Sequence, residues 1–206
     1  MIAFYFTGIV DFQDMFSSLI ETIRRGYNVW ICVFDCLYKK RQFYYYEKSE
    51  IVDFIKDTLQ KNNLSIPMID FFGQNDQQTF EKKFIEINPK IAFMQGIWHK
   101  YPVWIPRVPD KVVNFTWSYD TIYSFQNSPY NKNIILNIAR YKIDEKMLGD
   151  RNVKNCLYFG NTRLSQLKYK ALNNTNKLID EFKDKKVLFW PYMRGTATSL
   201  SKSNRL

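Results

Sequence analysis

His99 is the only histidine in the chain. An imidazole titrates near neutral pH and can take a proton from a hydroxyl, so His99 is the candidate general base. Read structurally, the same side chain simply caps the end of an apolar strand. Aromatic residues crowd around it in sequence: Trp98, Tyr101, Trp104, Trp117, Tyr119 and Tyr123. Such rings stack on sugars or bases, and they serve equally well as packing at a domain interface. Asp120 either accepts a hydroxyl and orients His99, or caps the helix that follows. Gly8, just past the first apolar run, either lets a ligand approach the backbone closely or makes a plain turn. The candidate set is thus His99 and Asp120 for catalysis, with Gly8, Trp98, Trp104, Trp117 and Tyr119 for substrate binding.

Other chemistries lack their residues. No G-x-G-x-x-G follows the first strand and no G-x-x-x-x-G-K-[ST] occurs, so neither type of phosphate-cradling loop is present. There is no G-x-S-x-G elbow, and a single histidine leaves few catalytic triads. The three cysteines, Cys32, Cys36 and Cys156, contain no C-x-x-C pair and form no disulfide framework. They read as buried free thiols, and no metal site and no cofactor are expected.

These residues need elements to position them. Ile2–Phe6 and Val29–Phe34 are compact β-type runs. Between them Met15, Phe16, Leu19, Ile20 and Ile23 recur at helical spacing, after a loop expected over Thr7–Gln13. Ser49 is placed to cap a helix over Glu50–Asn62, and Ile66–Phe72, a helix over Asp76–Ile87 and a strand over Lys90–Gln95 follow. Lys111–Thr116 and Cys156–Phe159 read as further strands, and Ile134–Ile138 as a strand or a short helix. Arg163–Asp184 reads as helical and Lys186–Trp190 as the last strand. Strands alternating with helices imply parallel strands joined by right-handed crossovers. The expected fold is α/β: a doubly wound, mostly parallel, Rossmann-like sheet of about six strands with helices on both faces. In such sheets ligands sit at the carboxyl ends of the strands. That rim carries Thr7–Gln13, Asp35–Lys40, Gly73–Asp76, Gly96–Trp104 and Trp117–Tyr123.

A hydrophobic content of 46% excludes a disordered chain. The net charge is +10, and it is unevenly placed: residues 1–130 hold 14 basic and 14 acidic side chains, whereas residues 131–206 hold 16 and 6. A basic C-terminal third on a neutral body offers a surface to nucleic acid, an acidic partner or a membrane. An AT-rich genome would produce part of the same excess without selection for binding, because Lys and Asn codons are AT-rich. No run of 18 apolar residues occurs, and the N-terminus lacks a basic segment and a cleavage site. The chain reads as cytoplasmic, with peripheral membrane contact as one use of its basic end.

Three segments in order carry a family resemblance: Gln95-Gly-Ile-Trp98-His99, then Tyr158-Phe-Gly160-Asn161-Thr-Arg163-Leu-Ser-Gln-Leu167, then Lys185-Lys-Val-Leu-Phe-Trp-Pro191-Tyr-Met-Arg194-Gly195. Together they resemble the bacterial CDP-glycerol glycerophosphotransferases and related glycosyltransferases of the two-Rossmann (GT-B) architecture. The UDP-GlcNAc 2-epimerases share the middle motif in a looser form. The resemblance implies that His99 assists deprotonation of the acceptor and that Arg163 and Arg194 sit at a domain junction. Lys100 stands where the family has glycine, Thr162 where it has proline, and Ser165 where it has aspartate.

On this resemblance, residues 1–160 form the N-terminal Rossmann-like domain and 161–184 a linker helix. Residues 185–206 supply the first strand of an otherwise missing second domain and a frayed basic tail. The family's second domain holds most of the nucleotide-donor site. The expected function is therefore a glycosyltransferase- or glycerophosphotransferase-like acceptor domain. It is inactive alone and takes a nucleotide-activated sugar or polyol donor only with a second Rossmann half. A truncated gene product, a split-enzyme subunit and a retained binding module all fit this picture. A partner subunit or a homodimer is expected to cover the exposed face. The alternative is a non-catalytic α/β binding or assembly protein that holds nucleic acid through its basic C-terminal third.

Overall fold

Successive side chains of a strand point to opposite faces, so a run apolar at every position must be covered on both sides. Ile2–Phe6 (β1) and Val29–Phe34 (β2) are such runs, and every β2 residue is buried. The computed structural model describes residues 1–34, 48–73, 75–95, 107–115, 131–139, 142, 145, 146 and 155–158. All of them belong to one unit, Met1–Gln166. After β1 and β2, separated by helix α1 (Ile9–Arg24), come α2 (Lys48–Lys61), β3 (Met68–Phe72), α3 (Gln77–Ile87) and β4 (Ile91–Gln95). Strands β5 (Val112–Phe115), β6 (Ile134–Ala139) and β7 (Cys156–Tyr158) complete the described elements, with a 3-10 turn over Asn131–Asn133 before β6.

The strands form one seven-stranded sheet in the order β3-β2-β1-β4-β5-β6-β7. Every neighbouring pair is parallel. The fold is thus the expected α/β, Rossmann-like open sheet. On one face Phe4, Phe6, Ile31 and Val33 pack against Phe12, Met15 and Leu19 of α1 and Ile51, Ile55 and Leu59 of α2. On the other, Ala3, Tyr5, Trp30, Cys32, Phe34 and Phe72 pack against Phe80 and Phe84 of α3. Phe80 is the hub of this second layer: its ring lies 5.1 Å from Phe72, 5.4 Å from Phe34 and 5.8 Å from Trp30. Burying a side chain of this size contributes about 1.5–3 kcal/mol.

Several polar groups in and beside the core meet partners. The Trp30 indole N–H donates to Asp70 Oδ2 at 2.9 Å, and Lys83 of α3 binds the other oxygen of the same carboxylate. Asn114 and Asn137 are register partners on β5 and β6, and Asn114 Nδ2 donates to Asn137 Oδ1 at 3.0 Å. Both asparagines are buried. In an apolar layer each amide's loss of water is offset by the other.

Several local expectations are corrected. Helix α1 begins at Ile9, so the loop expected over Thr7–Gln13 shrinks to Thr7 and Gly8. Ile9 and Phe12 extend the apolar stripe of Met15, Phe16 and Leu19 by one turn, and Asp11 ties the new first turn back to Thr7. Ser49 lies inside α2 rather than before it. Strand β3 starts at Met68, because Pro67 just before it has no N–H for the ladder. Ile134–Ala139 is a strand, the β-branched choice between the two readings. The helix expected over Arg163–Asp184 and the strand over Lys186–Trp190 lie outside the described residues. Among the described residues no helix is long and apolar enough to cross a membrane.

Candidate functional site

The strand order locates the site. From β1 the chain adds β2 and β3 on one side, then returns and adds β4 to β7 on the other. The direction of growth reverses between β1 and β4, and the crevice outside their carboxyl ends is where open parallel sheets bind ligands. Strand β1 ends at Phe6 and leads into Thr7 and Gly8, while β4 ends at Gln95. Helix α1 starts beside them and carries two buried acids, Asp11 and Asp14.

Asp11 occupies the third position of α1, and its carboxylate reaches back over the helix start. Asp11 Oδ2 accepts the Thr7 backbone N–H at 2.9 Å and also the Thr7 hydroxyl. This is a capping box shifted by one residue, since the acid at the third helical position bonds the residue before the cap. A carboxylate there also faces the positive end of the helix dipole. One turn on, Asp14 Oδ2 accepts from Gln95 Nε2 at 2.5 Å. That bond joins α1 to the end of β4 across 81 residues of sequence. All three side chains are buried: Asp11 is 4% exposed, Asp14 2% and Gln95 1%. The amide oxygen of Gln95, Oε1, is buried and has no hydrogen-bond partner among the described residues.

The chemistry of this corner is that of an acceptor of hydrogen bonds. Two carboxylates and an amide oxygen are buried together here, and the loop N–H at Thr7 is already taken. A phosphate needs free N–H groups and a positive field, and here it would meet the reverse. A hydroxyl donates to such groups without opposing their charge. Among the described residues no group of three or more His, Cys, Asp or Glu side chains could hold a metal ion.

Of the candidate residues named from the sequence, Gly8 falls within the described part of the chain, and it stands at this crevice as the N-cap of α1. Its φ is 179°, extended backbone open to any residue, and a Cβ there would meet nothing within 4 Å. The protein's own packing therefore does not require glycine at this position. His99, Asp120, Trp98, Trp104, Trp117, Tyr119, Arg163 and Arg194 lie outside the described residues. In sequence, Trp98 and His99 follow the last residue of β4, and Trp117, Tyr119 and Asp120 follow the last residue of β5.

Sequence reasoning missed Asp11 and Asp14. The signal was present: both fall between Ile9, Phe12, Met15 and Phe16, on the stripe that the helix buries. An acid inside an apolar stripe must be hydrogen-bonded in the fold, and it marks a position to inspect. A separate shallow groove, of about 410 Å³, is lined by Ile2, Ser18, Glu21, Arg25, Tyr27 and Phe93. It lies toward the amino end of β1, the end of a parallel sheet that does not bind ligands. No protein-family model matches the chain, and no curated protein sequence matches it.

Proposed function

We propose that this chain is the acceptor-binding half of a two-Rossmann transferase, of glycosyl- or glycerophosphotransferase type. One observation carries the reading. Hydrogen-bond acceptors, Asp11, Asp14 and Gln95, gather at the switch point, on the strand that precedes the Trp98-His99 motif in sequence and on the helix beside it. A donor-nucleotide site would instead need free loop N–H groups for its phosphates. In this reading the acceptor hydroxyl is held at the carboxyl ends of β1 and β4. His99 takes its proton as the oxygen attacks the activated carbon or phosphorus of the donor, the donor's bond to its nucleotide breaks, and the nucleoside phosphate leaves with that bond's electron pair. The donor's nucleotide is held by a second Rossmann-like domain, on the same or a partner chain.

The test uses the purified chain of residues 1–206 with CDP-linked and UDP-linked donors. Alone it turns over neither. Supplied with a second Rossmann half, it transfers to a polyol or sugar, and His99→Ala lowers that rate by about 10²–10⁴. Donor turnover by residues 1–206 alone, or transfer that is indifferent to His99→Ala, refutes the reading. Tight binding to nucleic acid that falls steeply with salt would support the alternative of a nucleic-acid-binding protein.

A further inference from the structure

We propose that the amino-terminal edge of the sheet is a docking surface for an anionic lipid bilayer. The inference is independent of the transferase reading. Neighbouring strands are parallel, so their first residues share one edge. Across that edge from β3 to β6, the positions at or just before the strand starts hold Ile66, Tyr27, Met1, Lys90, Lys111 and Lys132. The register sets them at nearly one height: Ile2 pairs with Val29 and Ile91, Trp30 with Met68, and Val112 with Ala92 and Ile134. Two backbone bonds hold the lysine positions there, from Lys90 N to Met1 O at 3.1 Å and from Ala92 N to Lys111 O at 3.0 Å. Strands lie about 4.8 Å apart, so the six positions run over about 24 Å.

The edge divides by chemistry. Its β3-β2-β1 half exposes apolar side chains: Ile66 is 41% exposed, Tyr27 56% and Met1 39%. Its β4-β5-β6 half exposes the three lysines. Glu21 and Asp57, near the ends of α1 and α2, are held by Arg25 and Lys61. Among the described residues at this end, that sets Glu86 and Asp110 against Arg24 and the three lysines. A bilayer bearing anionic lipids attracts the lysines by its surface potential, while aliphatic and tyrosine side chains enter below the headgroups. Nucleic acid uses only half of this edge. Its phosphates engage lysines, but Ile66 and Met1 have no π-face on which a base stacks. The groove of about 410 Å³ lined by Ile2, Tyr27 and Phe93 opens at the same end and offers apolar surface to an acyl chain.

Co-sedimentation of residues 1–206 with vesicles tests the assignment. The chain is expected to bind vesicles of phosphatidylserine and phosphatidylcholine in equal parts, and not vesicles of phosphatidylcholine alone. A lysine near an anionic surface is worth about fivefold in affinity, so Lys90→Gln with Lys111→Gln should weaken binding about 30-fold. Lys56→Gln with Lys82→Gln removes the same charge from exposed positions on α2 and α3, and it should weaken binding less than about threefold. Tyr27→Ser with Ile66→Ser should weaken it at least about tenfold and leave its salt dependence unchanged. All six substituted side chains are exposed, so the variants keep the fold, which circular dichroism checks. Equal losses from the two lysine pairs overturn the proposal. So does a wild-type chain that ignores the phosphatidylserine vesicles. Single-stranded DNA that binds more tightly than the vesicles, with no loss on Tyr27→Ser and Ile66→Ser, also overturns it and assigns the edge to nucleic acid.

Discussion

Replacing Asp70 separates the worth of a buried hydrogen bond from that of an ion pair. Asp70 on β3 serves two partners: it accepts the indole N–H of Trp30 at 2.9 Å and it binds Lys83. Trp30 is 0% exposed, so its N–H has no recourse to water, whereas the Lys83 side chain is 38% exposed. Asp70→Ala orphans the indole donor, at about 1–3 kcal/mol. It also loses a half-wet ion pair, at about 0–1 kcal/mol. The sum is about 1–4 kcal/mol, which for a unit of this size lowers Tm by roughly 2–16 °C. Asp70→Asn keeps an oxygen for the indole and loses only the pair, so its expected cost is below about 1 kcal/mol. Denaturant unfolding of Asp70→Ala, Asp70→Asn, Trp30→Phe and the Trp30→Phe/Asp70→Ala double variant closes the cycle. The expected Trp30–Asp70 coupling is about 1–2 kcal/mol. Equal losses for Asp70→Ala and Asp70→Asn, or a coupling near zero, refute the reasoning.

Four other outcomes follow from the same structure. Gly8→Ala should leave Tm unchanged, whereas Gly26→Ala, at φ 76°, should cost about 1 kcal/mol, so a large loss at Gly8 would contradict the open space around it. Asn114→Val alone should destabilise by about 1–3 kcal/mol, while Asn114→Val with Asn137→Val should recover part of that loss, as measured by chemical denaturation. Burial first, and the Asp70 carboxylate second, push the Cys32 thiol well above its ordinary range. The folded state then holds this proton after the unfolded chain has released it, so this thiol's contribution to stability is level below about pH 8 and falls above it. Cys32→Ala should flatten that alkaline fall relative to wild type, and an unchanged slope would show that Cys32 does not contribute. In native protein, iodoacetamide should label the part-exposed Cys156 well before the buried Cys32, which mass spectrometry of the digested chain would reveal.

The elements that build the sheet were largely legible in the chain. Runs such as Val29–Phe34 are apolar at every position, and only a strand covered on both faces buries all of them. Met15, Leu19 and Ile23 repeat at helical spacing, and helix α1 buries that stripe. Boundaries were less legible. Helix α1 starts at Ile9 because Asp11 can bond backward to Thr7, a contact that periodicity does not encode. The site was hardest to read, since an acid on an apolar stripe reveals that it is buried but not what it meets.

The sequence by itself determined the period and polarity of each segment, and so the α/β class, the parallel strands and the absence of a phosphate-cradling glycine loop. Only the tertiary structure decided which distant residues meet. Asp14 finds Gln95 across 81 residues and Trp30 finds Asp70 across 40. Both pairings depend on the strand order, which places β4 beside β1 and β3 beside β2. Periodicity is a local property, set by the rise and turn of one element. Strand order is set by how whole faces are buried together, and the acceptor-lined corner at the end of β1 and β4 exists only once that order is made.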